Sequence, residues 1–442
     1  MSKPICDYVK KYAESGTLRL HMPGHKGKII SDDPICGVYP YDITEIKGAD
    51  SLFEADGIIA DSERKTSELY GTAETVYSAG GSTLCIQAML SMTCGIGGRC
   101  IAVRNCHRAF VNTASLLDLD VFWVYPEYEN GSLLSGRVTA EMAENAILLA
   151  ENACCFYMTS PDYLGRIYDV SGIAGVCHKH GIPLVVDNAH GAHLAFLGEN
   201  IHPIKLGADI CCDSAHKMLP ALTGGAYLHI GNEKYVGKAK QAMSRFGSTS
   251  PSYLIMQSLD VCADYLEKHG RRDIPRAADM ITELKKELSA VWTIEESEPL
   301  RITIRASLSG LTGDDLADIL RENGIECEYS DETHVVLLFS PLTSSADLRR
   351  LKKVLSDVRM PKIRIKMPDI PDIRPQKVMP IREAAFADSE DIPTDEADGR
   401  ICAEIRSACP PGVALIVSGE KIDENCIKIL KRYSIFHVNV VK

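Results

Sequence analysis

The sequence Asp213-Ser214-Ala215-His216-Lys217 closes an apolar run, Ala208-Asp209-Ile210-Cys211-Cys212, which is bounded by Gly207 and reads as a buried strand. Lysine is among the residues least often buried, and a core strand normally runs into a turn of Gly, Asn or Asp. A lysine directly after Ser and His at such an exit has two readings. Either it is solvated and silent, or its amine sits desolvated with a depressed pKa and attacks a carbonyl to form a Schiff base. A second β-rich run lies upstream, Ile182-Pro183-Leu184-Val185-Val186-Asp187, and leads into Asn188-Ala189-His190-Gly191-Ala192-His193. Consecutive parallel strands deliver their carboxyl ends to one sheet edge, where ligands of open α/β sheets bind. Asp187 and Lys217 are then placed to face one ligand. A carboxylate beside a Schiff-base lysine suits pyridoxal phosphate, whose pyridinium nitrogen needs an anionic partner to stay protonated. Taken alone, Asp187 reads equally well as a helix N-cap at the strand exit.

Two further stretches fall at strand exits. Gly80-Gly81-Ser82-Thr83 separates the run Thr75 to Ser78 from a helix beginning near Leu84. Glycines admit a phosphate to the backbone, the helix N-terminus offers unpaired N–H groups, and Ser82 and Thr83 add hydroxyls. An ordinary Ser/Thr cap after a glycine turn is the plainer reading. Arg104-Asn105-Cys106-His107 follows Cys100 to Val103, so His107 could stack on a cofactor ring or simply cap a helix. His190 and His216 pose the same choice. No metal is expected from these histidines, since no ligand spacing such as HExxH occurs and a lysine holds the centre.

The elements that must position these residues follow from periodicity. Strand-like runs at 75–78, 100–103, 121–125, 154–158, 184–187, 210–213 and 226–230 alternate with amphipathic stretches such as 84–93, 140–150 and 170–180. The pattern predicts a mostly parallel sheet covered by helices on both faces, with the last strand running in the opposite sense. Residues 1–60 read as an N-terminal arm and linker, 61–270 as the large domain and 271–358 as a small α+β domain. A connector over 359–380 is marked by Pro361, Pro368, Pro371, Pro375 and Pro380, and 381–442 form a C-terminal subdomain. Within that subdomain the pattern predicts a helix from Thr394 to Ala408 and a strand from Val413 to Val417.

A formal charge of −12 over 442 residues argues against nucleic acid or an anionic membrane as partner. The sixteen cysteines include adjacent pairs inside strand-like runs, Cys154-Cys155 and Cys211-Cys212, and no CxxC pair. Core packing in a reducing cytoplasm is the expectation. The first residues lack an apolar signal core, and no apolar run is long enough to span a bilayer.

His21-Met22-Pro23-Gly24-His25-Lys26-Gly27, Asp42 to Asp50, Gly81-Ser82-Thr83, Arg104 to His107, Asp187 to His193 and Ser214-Ala215-His216-Lys217 together resemble the ornithine/lysine/arginine decarboxylases. Ser248-Thr249-Ser250-Pro251-Ser252-Tyr253 and the stretch from Pro410-Pro411-Gly412 to Gly419-Glu420 extend the likeness nearly end to end. It is to the short form, without an N-terminal wing domain. The resemblance implies an aspartate-aminotransferase-type α/β fold, with a seven-stranded, mostly parallel sheet in a pyridoxal-phosphate-binding large domain and a C-terminal α+β domain. It implies Lys217 as the Schiff-base residue, Asp187 at the pyridine nitrogen and His107 stacked on the ring. Gly81, Ser82, Thr83, Ser214 and His216 would surround the phosphate, and His190 and Thr249 would join the cofactor shell. Lys217 or His216 would return the proton to Cα. The loop from Ser248 to Tyr253 would reach across a homodimer interface. Where the family carries Asp-Asp-Leu-His, this chain has Asp50-Ser51-Leu52-Phe53.

The expected activity is decarboxylation of a basic amino acid (arginine, lysine or ornithine), with Asp42, Glu45, Asp50, Glu54 and Glu420 as candidate clamps for its cationic end. An aminotransferase, a β-eliminating lyase or a cysteine desulfurase would use similar residues, and a catalytically silent pyridoxal-phosphate-binding regulator is a reading of another class.

Overall fold

The computed structural model describes residues 3–128, 132–359, 373–408 and 412–442. Pro361, Pro368 and Pro371 of the expected connector, and Pro410 and Pro411, lie outside the described residues.

Seven strands form one sheet: β1 (Glu74–Ser78), β2 (Arg99–Val103), β3 (Asp120–Val124), β4 (Ala153–Thr159), β5 (Leu184–Asp187), β6 (Ile210–Asp213) and β7 (Ala226–Ile230), in the order β1-β7-β6-β5-β4-β2-β3. Only β7 runs antiparallel to its neighbours, β1 and β6, as the short spacing before Ala226 predicts. The strands β5, β6 and β7 are buried at every position, which is why they read as continuous apolar runs rather than as alternating ones.

The chain divides into two compact units, the first comprising Met1–Met92 and Val185–Asp273. Its helix α1 (Pro4–Glu14) starts with proline at the first helical position and buries Ile5 and Val9. Helix α2 (Ile58–Tyr70) stops at Gly71, whose φ of 69° suits the left-handed C-cap. Each fully buried Ile or Val contributes about 1.5–3 kcal/mol over its exposed state. Helix α3 (Gly81–Thr93) follows β1 directly.

The second unit comprises Thr93–Leu184 and Ile274–Lys442. Helix α4 (Arg108–Leu116) follows β2. Helices α5 (Ala140–Leu149) and α6 (Val170–Lys179) flank β4 in sequence. Beyond them lies a four-stranded antiparallel sheet of β8 (Ile294–Glu295), β9 (Arg301–Ile304), β10 (Tyr329–Ser330) and β11 (Val335–Leu338), in the order β8-β9-β11-β10. The sequence pattern predicts only the two longer of these strands. Towards the C-terminus β12 (Ser389–Pro393) pairs with β15 (His437–Val441), and β13 (Arg406–Ser407) pairs with β14 (Ala414–Ile416). They close over an apolar cluster that includes Leu415, Ile416, Ile429, Val438 and Val440.

The helix expected over Thr394 to Ala408 does not form. A single 3-10 turn, Thr394–Glu396, is followed by Gly399 at φ 77°, and Ile401 and Cys402 form bridges to Lys421 and Val440. Long-range pairing of this segment overrides its local preference for helix. Among the described residues no helix is long and apolar enough to cross a membrane.

Candidate active site around Lys217

At the end of β6 stands Asp213, fully buried. Its carboxylate accepts from His202 Nε2 at 3.0 Å, His229 Nε2 at 3.2 Å and Asn188 Nδ2 at 2.7 Å. Burial works to raise its pKa, but the two imidazoles outweigh it and hold the carboxyl well below the usual carboxylate range. The other nitrogen of His229 meets Thr75 Oγ1 at 2.8 Å, and burial lowers the pKa of the ring. Burial thus disfavours the charged ring, and contacts at both nitrogens hold it in place.

Asn188 carries this order to the neighbouring strand exit. Its N–H donates to the carbonyl of Cys212 while its amide holds Asp213, which locks the ends of β5 and β6 together. A Cβ at position 191 would fall 1.9 Å from Asn188 Oδ1, so only glycine fits there. This geometry explains the Asn188-Ala189-His190-Gly191 sequence as a tight turn folded against its own asparagine.

On that scaffold sit the residues that the sequence singles out. Asp187 is 2% exposed; one carboxylate oxygen accepts the N–H of Ala189 at 3.1 Å and the thiol of Cys212 at 3.6 Å. It caps its turn with a buried carboxylate. Lys217 lies in a one-turn helix, Ala215–Met218, with Nζ 3.1 Å from His190 Nε2. Ser214 Oγ donates to Ser82 Oγ at 2.9 Å, joining the exit of β6 to the first turn of α3. Gly81 opens that turn at φ 66°, with open space where a Cβ would stand. His216 is tied through Nδ1 to the carbonyl of Gly225 at 3.0 Å.

Thr249 is exposed on the loop before Tyr253. That loop borders a cleft of about 230 Å³ lined by Phe53, Thr83, Leu84, Gly247, Ser248 and Pro251 among others. A Cβ on Gly247 would come within 2.6 Å of the Phe53 ring, so the residue that departs from the family pattern packs against this loop.

His107 belongs to the second unit. It caps α4, with Nδ1 accepting the N–H of Ala109 at 3.1 Å, and its backbone bridges to Val413. Three residues earlier, Arg104 makes a two-pronged pair with Glu420, both contacts at 2.8 Å, and its guanidinium lies 4.8 Å from the Trp123 ring centre. Burial opposes that charge, yet Glu420 raises the pKa of Arg104 above its already high ordinary value.

The candidate substrate clamps are thus partly spoken for. Glu420 is committed to Arg104. Asp50 accepts backbone N–H groups from Ser51, Asp56, Gly57 and Ile59, which hold its pKa down against the effect of burial. Its role is to cap the start of α2. Asp42 pairs with His25 at 3.2 Å, and Glu45 accepts from Ser51 Oγ at 3.0 Å. Sequence reasoning did not find the carboxylate of Asp213 or its partners His202 and His229. A histidine in the otherwise apolar β7 was the available signal, because a buried imidazole demands a partner.

As a set, Lys217, Asp187 and the hydroxyl-rich turn fit three of the functional groups of pyridoxal phosphate. They offer an amine for the aldehyde, a buried carboxylate for the ring nitrogen, and hydroxyls with helix N–H groups for the phosphate.

Residues 3–306 match the family model described as the Orn/Lys/Arg decarboxylase major domain, and residues 368–438 match that of its C-terminal domain. The chain belongs to the Orn/Lys/Arg decarboxylase family. Like other members of that family it is an amino-acid carboxy-lyase. It is 30% identical over 458 residues to the Bacillus subtilis protein YaaO, covering 98% of this chain and 94% of that one. It is 29% identical to an arginine decarboxylase of Bacillus subtilis, covering 97% and 92% of the two chains. Among solved structures, the lysine decarboxylase LdcF of Francisella novicida superposes with a TM-score of 0.85 at 18% identity, over all of this chain and 81% of that one. The constitutive lysine decarboxylase of E. coli gives 0.82 at 18% identity, over 100% and 82%. At that identity the structural likeness is one of fold; the decarboxylase assignment rests on the family match.

Proposed function

We propose that this decarboxylase holds pyridoxal 5'-phosphate on Lys217 and converts a basic amino acid to its amine and CO2. The observation that carries the reading is Lys217 Nζ at 3.1 Å from His190, with the buried carboxylate of Asp187 at the exit of the adjacent strand. The names of the relatives, arginine and lysine decarboxylases, support a substrate with a cationic side chain.

Bound there, the cofactor supplies an electron sink for the pair left behind when CO2 departs. The chain's own residues make that possible. Asp187 would supply the carboxylate that keeps the ring nitrogen protonated. Ser82, Thr83, Ser214 and the first-turn amides of α3 hold the phosphate, and the adjoining His216 is braced on Gly225. Lys217, with its amine steadied by His190 Nε2, returns a proton to Cα of the product. The stacking role of His107 rests on the family resemblance alone. On the same resemblance the enzyme is a homodimer whose Ser248–Tyr253 loop, Thr249 included, completes the neighbouring site, and its cysteine usage supports a cytoplasmic location.

Two measurements test this. Borohydride treatment of the yellow, loaded protein should fix the cofactor to the peptide containing Lys217; label on another lysine overturns the assignment. Purified enzyme incubated with single amino acids should release CO2 and one amine from arginine, lysine or ornithine. Formation of a keto acid that needs a second substrate would instead identify an aminotransferase.

A further inference from the structure

Three thiols that share no residue with the Lys217 site converge in the second unit. Cys100 on β2 stands in register with Cys155 on β4, so the two side chains share a face of the sheet, with their sulfurs 3.4 Å apart. Cys94, the residue after the end of α3, brings its sulfur within 3.4 Å of Cys155. All three sulfurs lie within 4.8 Å of one another. Positions 94, 100 and 155 form no sequence motif, and the expectation of inert packing rested on the missing CxxC pairs. The fold assembles what the linear spacing does not announce.

We propose that Cys94, Cys100 and Cys155 bind one soft d10 cation, Zn2+ or Cu+. A metal–sulfur distance of about 2.3 Å separates ligand sulfurs by about 3.8 Å in a tetrahedral site and about 4.0 Å in a trigonal one. The two short pairs need to open by only a few tenths of an ångström. An all-sulfur donor set favours such ions over Mg2+ or Ca2+, which seek oxygen. Access is one-sided: Cys100 and Cys155 are fully buried, whereas Cys94 is half-buried and offers the way in. Coordination takes the three sulfurs as thiolates, so binding of the ion releases protons. Three thiolates complete a trigonal Cu+ site; Zn2+ adds a water, with Thr93 Oγ1 3.7 Å from Cys94 Sγ to steady it.

The test uses the full-length, cofactor-loaded, thiol-reduced enzyme, titrated anaerobically with Zn2+ or with Cu+ against a chromophoric chelator. One tight equivalent of either ion is expected. Cys155→Ala and Cys94→Ser should each weaken it beyond the roughly 10–100-fold that loss of even an outer partner costs. Cys327→Ala, outside the trio, should leave it intact. If Cys155→Ala fails to fold, the half-buried Cys94→Ser decides. No tight equivalent of either ion, or one that survives Cys94→Ser, overturns the proposal. A disulfide joining two of the three, found by mass spectrometry in the enzyme as purified, overturns it as well.

Discussion

Two buried carboxylates, one in each unit, are neutralised by different chemistry. Asp213 in the first unit is held by two imidazoles and an amide, immediately before the segment that carries Lys217. Glu420 in the second is held by the two prongs of Arg104 and also accepts the N–H of Val417 at 2.8 Å. A guanidinium stays charged at any pH the fold survives, so Arg104 is the fixed, cationic half of this rivet. Burial depresses the pKa of His229, so the Asp213 cluster loses stability on acidification. The contrast teaches that a titratable histidine is built into the scaffold beside the functional lysine.

The largest effect should come from breaking the rivet. Glu420→Gln leaves the Arg104 guanidinium buried without its countercharge and should cost about 3–5 kcal/mol in urea unfolding. A loss below about 1 kcal/mol would mean that the pair is looser than its geometry. The next effect sharpens the contrast through pH. The folded-state pKa of His229 is depressed, so the unfolded chain takes up a proton near pH 6.5 that the folded chain resists. Stability from this group is present above that pH and falls as pH drops below it, by at most about 1.4 kcal/mol per pH unit. The depressed Asp213 adds loss in the same direction below about pH 4, as its unfolded counterpart protonates first. His229→Gln should flatten the limb below pH 6.5, and Glu420→Gln should leave its slope alone; parallel slopes in all three proteins would remove the distinction. The smallest effect concerns a third carboxylate, Asp50. Asp50→Ala should cost about 1 kcal/mol as a lost cap and change the Michaelis constant for a basic substrate less than Asp42→Asn or Glu45→Gln does.

The seven strands of the large sheet were legible because burial on both faces leaves continuous apolar runs with few competing readings. Lys217 and Asp187 were legible because a charged residue at the exit of such a run is conspicuous. What lay hidden depended on partners distant in sequence. Asp213 and His229 each look unremarkable until β6 and β7 pair. Asp50 looked like a substrate clamp because its four backbone donors, spread over residues 51–59, cannot be seen without the turn they make. The stretch from Thr394 to Ala408 reads as helix locally, and only its bridges to Lys421 and Val440 draw it out. The short polar strand β12 carries no apolar alternation of its own and owes its form to β15.

Arg104 and Glu420 also set a schedule for synthesis, since 316 residues separate them. At about 5–20 residues per second a ribosome needs roughly 15–60 s to travel from one to the other. Throughout that interval the exit of β2 holds a guanidinium whose partner Glu420 has not yet been translated. The nascent chain must keep that corner open to water or to a chaperone. The arrival of residue 420 is then the event that lets it close, and a chain stalled short of that point carries its own mark of incompleteness.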